Sequence, residues 1–230
     1  MTFQKAQRKN AKLRLAITGP AGSGKTYSSI LIAQGLGGRI AMIDTENGSG
    51  DLYADIADYD TCTMQAPFDP RKYEQLIHDA EKAGYNTIII DSLSHAWAGR
   101  GGILDLHAQV TQASKTGNSY TAWARVTPLH QGLVDAMLSS PCHIIATMRS
   151  KTDYIINENR QPVKVGLAPI QRDGMDYEFG TVFDLTATHL ATVSKDRTGL
   201  FDETPFRISA ETGKNLANWL NSGNNKGEKV

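Results

Sequence analysis

Short apolar runs of strand length alternate along the chain with longer segments in which apolar residues recur at helical spacing. The runs lie at residues 13–18, 39–44, 61–65, 87–92 and 142–148. The run at 87–92 is rich in isoleucine, apolar on both faces and closes on a carboxylate, as a central strand covered by helices would be. The alternation up to Met148 therefore predicts an α/β fold with a mostly parallel central sheet and helices on both faces.

The helical pattern is found at residues 27–36, 70–83 and 104–113. Pro70 is expected in the first turn of its helix, where its missing N–H has no intrahelical partner to lose. A further helix is expected to begin at Thr127-Pro128, ahead of the run that ends at Met148.

The pattern changes after residue 150, where strands follow one another without long helices between them. A hairpin is predicted at 154–165, strands within 182–193 and at 206–209, and a final helix at 213–220. This part predicts a C-terminal β-rich extension. The chain then divides into a mobile N-terminal arm at 1–11, one domain at 12–222 and a disordered tail at 223–230.

Composition restricts the classes of function. The 24 basic residues balance the 24 acidic ones, so any contact with nucleic acid must be a local patch rather than a basic surface. Cys62 and Cys142 match no metal spacing, lie in apolar runs and are expected in the core, as in a reducing cytosol. No apolar run exceeds strand length and no signal-peptide pattern is present. We expect a cytoplasmic protein without a membrane segment.

A phosphate-binding loop follows the first apolar run. It matches G-x-x-x-x-G-K-[ST] with Gly19, Pro20, Ala21, Gly22, Ser23, Gly24, Lys25 and Thr26. A strand before and a helix after such a loop aim its amides and the helix N-terminus at a phosphate. Lys25 would reach the β- and γ-phosphates and the Thr26 hydroxyl would bind Mg²⁺, with Tyr27 completing the site. The predicted cofactors are ATP and Mg²⁺.

Two carboxylates are candidates for the chemistry. Asp91, at the end of the run at 87–92, is placed where a Walker B aspartate holds Mg²⁺; the alternative is a solvated residue at a strand end. AAA+ and many other additional-strand ATPases place a catalytic base directly after this aspartate, but here that residue is Ser92. Glu46, two residues beyond Asp44, is the best candidate base, because strand ends of a parallel sheet share one edge. The alternative for Glu46 is an exposed loop residue.

The order and spacing of residues 19–26, 43–46 and 88–92 resemble the RecA-type ATPase core. The motifs at 171–179 and 195–199, with the small size, are similar to phage-encoded RecA-like ATP-binding proteins, some of which are single-strand annealing recombinases. The resemblance covers about residues 12 to 210 and identifies the domain at 12–222 as RecA-like. It also implies the cytoplasm of a host cell as the place of action.

Several roles follow from the resemblance alone. Lys195 and Arg197 align with the basic pair that RecA-type filaments insert into the ATP site of the neighbouring protomer; the alternative is a solvated basic turn. Thr147 stands where recombinases carry a polar γ-phosphate sensor, commonly glutamine, and its shorter side chain puts that signalling in doubt. Phe3 and Ala6 have the Phe-x-x-Ala spacing with which recombinases dock an arm on the adjacent subunit.

Residues 149–172 occupy the position of the DNA-binding loop in RecA-type proteins and carry five basic side chains against two acidic ones. A basic stretch with an aromatic residue suits contact with a single-stranded backbone, although an ordinary hairpin with a solvated face fits it equally well. The candidate DNA contacts are Arg149, Lys151, Tyr154, Arg160, Lys164 and Arg172.

These interpretations predict a Mg²⁺-dependent ATPase that forms a homo-oligomer, as a filament or a ring, on single-stranded DNA and promotes annealing or strand exchange in phage recombination. A single-strand-binding protein is a further expected partner. Two alternatives stay open: a helicase- or packaging-type ring ATPase, and a nucleotide-gated DNA-binding accessory with vestigial hydrolysis.

Overall fold

The computed structural model describes residues 11–114, 117–156, 162–201 and 204–222. Within them, eight strands form one sheet in the order β3-β2-β4-β5-β1-β7-β8, with β6 paired to β5. The strands are β1 (Arg14–Gly19), β2 (Ile40–Asp44), β3 (Asp60–Thr63), β4 (Thr87–Asp91), β5 (His143–Ile156), β6 (Pro162–Pro169), β7 (Thr181–Leu185) and β8 (Ala191–Asp196).

The sheet is mostly parallel, as predicted. All pairings from β3 through to β7 are parallel, and only β5–β6 and β7–β8 are antiparallel. Strand β5 lies between β1 and β4, so one additional strand separates the strand of the phosphate-binding loop from the strand of Asp91. The C-terminal strands do not form a separate layer, because β7 pairs directly with β1 and continues the central sheet.

Helices cover both faces of the sheet and enclose one apolar core on each side. They are α1 (Lys25–Leu36), α2 (Pro70–Lys82), α3 (Ser94–Ala98), α4 (Ile103–Ala113), α5 (Ser119–Ser139) and α6 (Ala210–Asn221), with 3-10 turns at Gly50–Tyr53 and Met175–Glu178. Residues of α2 and α5 belong to one core, and residues of α1 and α6 to the other. No helix in the described ranges combines the length and the apolar character needed to cross a bilayer.

Helices α1 and α6 approach at backbone distance through two glycines. A Cβ atom on Gly35 would lie 2.0 Å from the carbonyl oxygen of Ala210, and one on Gly213 would lie 2.2 Å from the carbonyl oxygen of Ile32. Since real Cβ atoms do not approach other atoms so closely, only glycine allows this crossing. The helix that follows the phosphate-binding loop is thereby held against the last helix of the domain.

The prediction that a helix begins at Thr127-Pro128 is wrong. Helix α5 begins at Ser119 and contains Pro128. The side chain of Asn118 caps it by accepting from the backbone N–H groups of Tyr120 and Thr121. A proline within a helix removes one hydrogen bond. Helix α5 nevertheless continues through Pro128, and it has buried residues on both sides of the proline, from Ala122 to Met137. Helix α6 likewise begins earlier than predicted, at a capping box between Ser209 and Thr212.

The two cysteines differ in environment. Cys142 is buried as predicted, but Cys62 is exposed. The expectation fails for Cys62 because β3 is the edge strand of the sheet and all four of its residues are exposed. An apolar run alone does not distinguish an edge strand from a central one.

His143 links the start of β5 to the segment before β1. Its Nδ1 accepts a hydrogen bond of 2.9 Å from the backbone N–H of Leu13, so the ring is neutral in the folded protein. Burial, with the nearby charges of Lys12 and Arg14, lowers the pKa of His143 from 6.5 to about 4. Between these two values the unfolded chain takes up a proton that the folded protein does not.

We therefore predict that the free energy of unfolding decreases as the pH falls from about 6.5 to about 4, with a contribution from His143 of at most about 3 kcal/mol. The stabilisation is complete above the ordinary pKa of histidine and is lost as the folded-state pKa is approached. Urea unfolding at several pH values measures it, and His143→Gln, which lacks the ionisable ring, should show a shallower dependence. An equal slope in the two proteins would contradict the assignment.

Candidate functional site

The phosphate-binding loop connects β1 to α1 through left-handed glycines. Gly24, with φ of 87°, is the residue before the first turn of α1, and a side chain there would be strained. Ser23 is completely buried, and its hydroxyl has no hydrogen-bond partner among the described residues. A buried donor of this kind needs a partner, and an anion seated in the loop fits that requirement.

Lys25 is half-buried beneath the loop. Its Nζ donates to the carbonyl oxygens of Gly19, at 3.0 Å, and of Pro20, at 2.8 Å. Burial lowers the pKa of Lys25, and the negative charges of Asp91 and Glu46 oppose that shift. The amine is therefore held by two carbonyl groups of the loop and is within electrostatic range of two carboxylates.

Asp91 is the centre of the site. Its carboxylate accepts hydrogen bonds at both oxygens, from Thr26 Oγ1 at 2.6 Å and from Thr147 Oγ1. Only 2% of the residue is exposed, and burial raises the pKa of Asp91 while the two hydroxyls act in the opposite direction. No arginine or lysine in the described ranges forms an ion pair with it.

These oxygen donors fit Mg²⁺, which prefers carboxylate, hydroxyl and water ligands. The described residues contain no cluster of three His, Cys, Asp or Glu side chains that could hold a metal ion. The donor set of Thr26 and Asp91 is therefore incomplete by itself. It suits an ion that brings further ligands with it, as Mg²⁺ does when a nucleotide phosphate and water complete its shell.

Glu46 lies on the same edge of the sheet, in the loop after β2. The Asp44 carboxylate fixes this loop by accepting from the backbone N–H of Glu46, at 2.6 Å, and of Gly50, at 3.0 Å. The side chain of Glu46 is paired with Arg149 at both oxygens, with 2.9 Å between Arg149 Nε and Glu46 Oε1. Burial would raise the pKa of Glu46, but the hydrogen bonds and charge of Arg149 outweigh it and the pKa is lowered.

Sequence reasoning missed Thr45 and His95. They connect the segment after β2, which carries Glu46, to the segment after β4, the strand that ends at Asp91. Thr45 Oγ1 accepts from the backbone N–H of Ser92 at 2.8 Å and contacts His95 Nδ1 at 2.7 Å. Burial and the charge of Arg149 lower the pKa of His95. The only signal in the sequence was position, since Thr45 directly precedes Glu46 and His95 follows Ser92 closely.

A cleft of about 740 Å³ opens beside the start of α1. Tyr27 lies in its wall, 44% exposed, with its ring edge-to-face with that of Tyr53 at 6.0 Å between centroids. His189 and Arg207 line the same cleft. The cleft adjoins Lys25 and Thr26, so it could receive the nucleoside part of a bound nucleotide. Of these lining residues, Tyr27 was identified from the sequence, but Tyr53, His189 and Arg207, which belong to no recognised motif, were not.

The predicted trans-acting pair lies at and just beyond the end of β8, two strands away from β1. Lys195 Nζ donates to the carbonyl oxygens of Asp176, at 3.0 Å, and Tyr177, at 2.8 Å, and lies over the Tyr177 ring. Arg197 is exposed. Lys195 is thus held by its own chain, whereas the Arg197 guanidinium faces solvent.

The predicted DNA contacts separate in the structure. Arg149 is paired with Glu46, at the ATP-site edge, while Lys151 is exposed further along β5. Tyr154 and Lys164 are register partners in the β5–β6 hairpin, and Arg172 follows β6. Of the remaining predicted residues, Arg160, Phe3 and Ala6 lie outside the described ranges.

Thr147 donates a hydrogen bond to the carboxylate of Asp91, the candidate Mg²⁺ ligand. We predict that Thr147→Val raises the Mg²⁺ concentration needed for half-maximal nucleotide binding about 10- to 100-fold, the usual cost of losing such a partner. Thr147→Ser keeps the hydroxyl and should stay near wild type. Magnesium titrations of nucleotide binding compare the variants, and an unchanged Mg²⁺ requirement in Thr147→Val would exclude this role.

Residues 11–213 match the model of a protein family described as an AAA domain. A comparison with curated proteins finds no match. The family match covers most of the chain and includes the phosphate-binding loop, Glu46, Asp91, Lys195 and Arg197. The chain therefore belongs to the AAA domain family of nucleotide-binding P-loop ATPases.

Proposed function

We propose that this protein is a Mg²⁺-dependent ATPase of RecA type that assembles on single-stranded DNA and promotes annealing or strand exchange in phage homologous recombination. The observation that carries the proposal is the continuity of β5. This one strand contributes Thr147 to the Asp91 carboxylate and then runs on into the hairpin that holds the candidate DNA contacts. A ligand on the hairpin would therefore act on a strand that touches the ATP site.

The arrangement of the site supports hydrolysis. Bound Mg²⁺ supplies positive charge that stabilises the charge developing on the transferred phosphoryl group. Thr26 and Asp91 would hold the ion, and Lys25 would hold the terminal phosphates. Glu46 would orient the attacking water and accept its proton, because the hydroxyl of Ser92 cannot act as a base at neutral pH.

A second contact supports communication between the hairpin and the ATP site. Gln171, a buried residue just after β6, donates from Nε2 to the carbonyl oxygen of Leu93 at 3.2 Å. The backbone N–H of Leu93 in turn donates to the carbonyl oxygen of Thr147 at 2.9 Å. Both ends of the 149–172 segment are thus attached to backbone that adjoins Asp91.

We expect single-stranded DNA to stimulate ATP turnover, and the rate per protomer to rise with protein concentration because assembly completes the site. Turnover measured with and without single-stranded DNA, across a range of protein concentrations, checks both effects. Fast turnover that is independent of DNA would rule out the DNA-coupled function. A rate per protomer that does not change with concentration would rule out assembly.

We also expect complementation between two inactive variants, because Arg197 would act on the neighbouring site. Lys25→Ala retains Arg197 but lacks its own phosphate contact, and Arg197→Ala has the reverse defect. An equal mixture should recover about a quarter of the wild-type rate, since an intact site meets an intact arginine at about one junction in four. The Lys25→Ala, Arg197→Ala double variant is the matched control and should not rescue Arg197→Ala; equal rescue by it would refute the trans role.

One observation favours the alternative of a nucleotide-gated DNA-binding accessory. Both oxygens of the Glu46 carboxylate are occupied by Arg149, so the candidate base is not free to accept a proton from water. Single-turnover hydrolysis by the wild type and by Glu46→Gln separates the two functions, because an accessory with vestigial hydrolysis should show no difference between them.

A further inference from the structure

We propose that Arg149 is a positioning residue of the ATP site, which holds the Glu46 carboxylate in the absence of ATP and transfers to the terminal phosphate when ATP binds. This assignment replaces its predicted role as a DNA contact. It rests on the proposed function only in taking Glu46 as the base.

The position of Arg149 supports this assignment. In the parallel pairing of β1 and β5, Arg149 is the register partner of Gly19, the first residue of the phosphate-binding loop. Side chains alternate between the faces of a strand, so Arg149 projects on the same face as Thr147, which contacts Asp91. The guanidinium is therefore on the phosphate side of the sheet, at the edge where the loop begins.

Arg149 binds the Glu46 carboxylate in the way that an arginine binds a phosphate group. Its backbone is fixed by a hydrogen bond of 2.9 Å from its N–H to Ser94 Oγ, and its guanidinium binds Glu46 in the bidentate manner that arginine also uses for phosphate. Its side chain is 46% exposed, so an incoming anion can reach it. The carboxylates of Glu46 and Asp91 raise the pKa of Arg149, whereas the charge of Arg149 lowers the pKa of Lys25.

The exchange of partners has a direct chemical consequence. With Arg149 bound at both oxygens, the Glu46 carboxylate is a weak proton acceptor, because the ion pair lowers its pKa. A terminal phosphate that attracts the guanidinium leaves the carboxylate free to bind water. ADP lacks that phosphate, so the ion pair persists with ADP, and the base is released only when there is a phosphoryl group to transfer.

The proposal predicts opposite effects of the two partners on nucleotide preference. Arg149→Ala should weaken binding of ATPγS about 10- to 100-fold, the cost of losing a hydrogen bond to a charged group, and leave ADP binding nearly unchanged. Glu46→Gln should strengthen binding of ATPγS relative to ADP, because it frees Arg149 for the phosphate. In the Arg149→Ala background the same Glu46→Gln change should have little effect on that ratio, as a double-mutant cycle would show.

The experiment is calorimetric titration of the full-length protein with ATPγS and with ADP, in the presence of Mg²⁺ and without DNA. Arg39→Ala is the matched control, since Arg39 forms an exposed ion pair with Asp60 before β2, at the opposite end of that strand from Glu46. Arg149→Lys keeps the positive charge but loses the bidentate guanidinium, so its ratio of ATPγS to ADP affinity should lie between those of the wild type and Arg149→Ala. Arg39→Ala should retain the wild-type ratio of the two affinities.

An unchanged ratio of ATPγS to ADP affinity in Arg149→Ala would overturn the proposal. So would a loss of affinity for a single-stranded oligonucleotide without nucleotide, if the ratio stays at the wild-type value, since Arg149 would then be a DNA contact. If Arg149→Ala fails to fold, the Glu46→Gln titrations still decide, because an unaltered ratio there also contradicts the exchange. None of these readouts depends on turnover or on DNA stimulation, so failure of the proposed function is distinguishable from failure of this one.

Discussion

The burial of the Asp91 carboxylate is the constraint on which the rest of the site depends. A carboxylate in an apolar core is unstable unless its oxygens are hydrogen-bonded or paired with a cation. Here two hydroxyls donate to it, Thr26 from the first turn of α1 and Thr147 from β5. The sheet order brings both to it, because β5 lies directly beside β4 and also pairs with β1. Asp91 thus has hydrogen-bond donors but no ion-pair partner among the described residues, and a cation bound with a nucleotide would supply one.

The position of β5 also determines how the parallel sheet is connected to the β5–β6 hairpin. A strand of 14 residues begins inside the parallel sheet and ends in an antiparallel hairpin outside it. No loop interrupts it between Thr147 and the hairpin, although its pairing with β6 shifts register between Asp153 and Tyr154. Arg149 stands where β5 leaves the sheet, beside Gly19 on one side and paired with Glu46 across the site.

The sequence was sufficient for features that depend on local pattern. The phosphate-binding loop, the strand before it, the isoleucine-rich strand of Asp91 and the parallel character of the sheet all follow from residues close together in the chain. Glu46 was placed on the correct edge because parallel strands end together. The start of α5 was missed because a proline is a stronger local signal than an asparagine cap, although the cap and the buried face decide the outcome.

The pairing of Glu46 with Arg149 could not be predicted, because it joins residues that are 103 positions apart and depends on the register between strands. The count of charges within 149–172 considers only residues close together in the chain, so it gives no indication of this pairing. The lining of the cleft beside Tyr27 had no pattern either, since His189 and Arg207 reach it from separate loops.

The crossing of α1 and α6 at Gly35 and Gly213 has a further consequence for biosynthesis. The helix that carries Lys25 and Thr26 leaves the ribosome long before the helix against which it packs, so a nascent chain should acquire a rigid nucleotide site only as its synthesis nears the end of the domain.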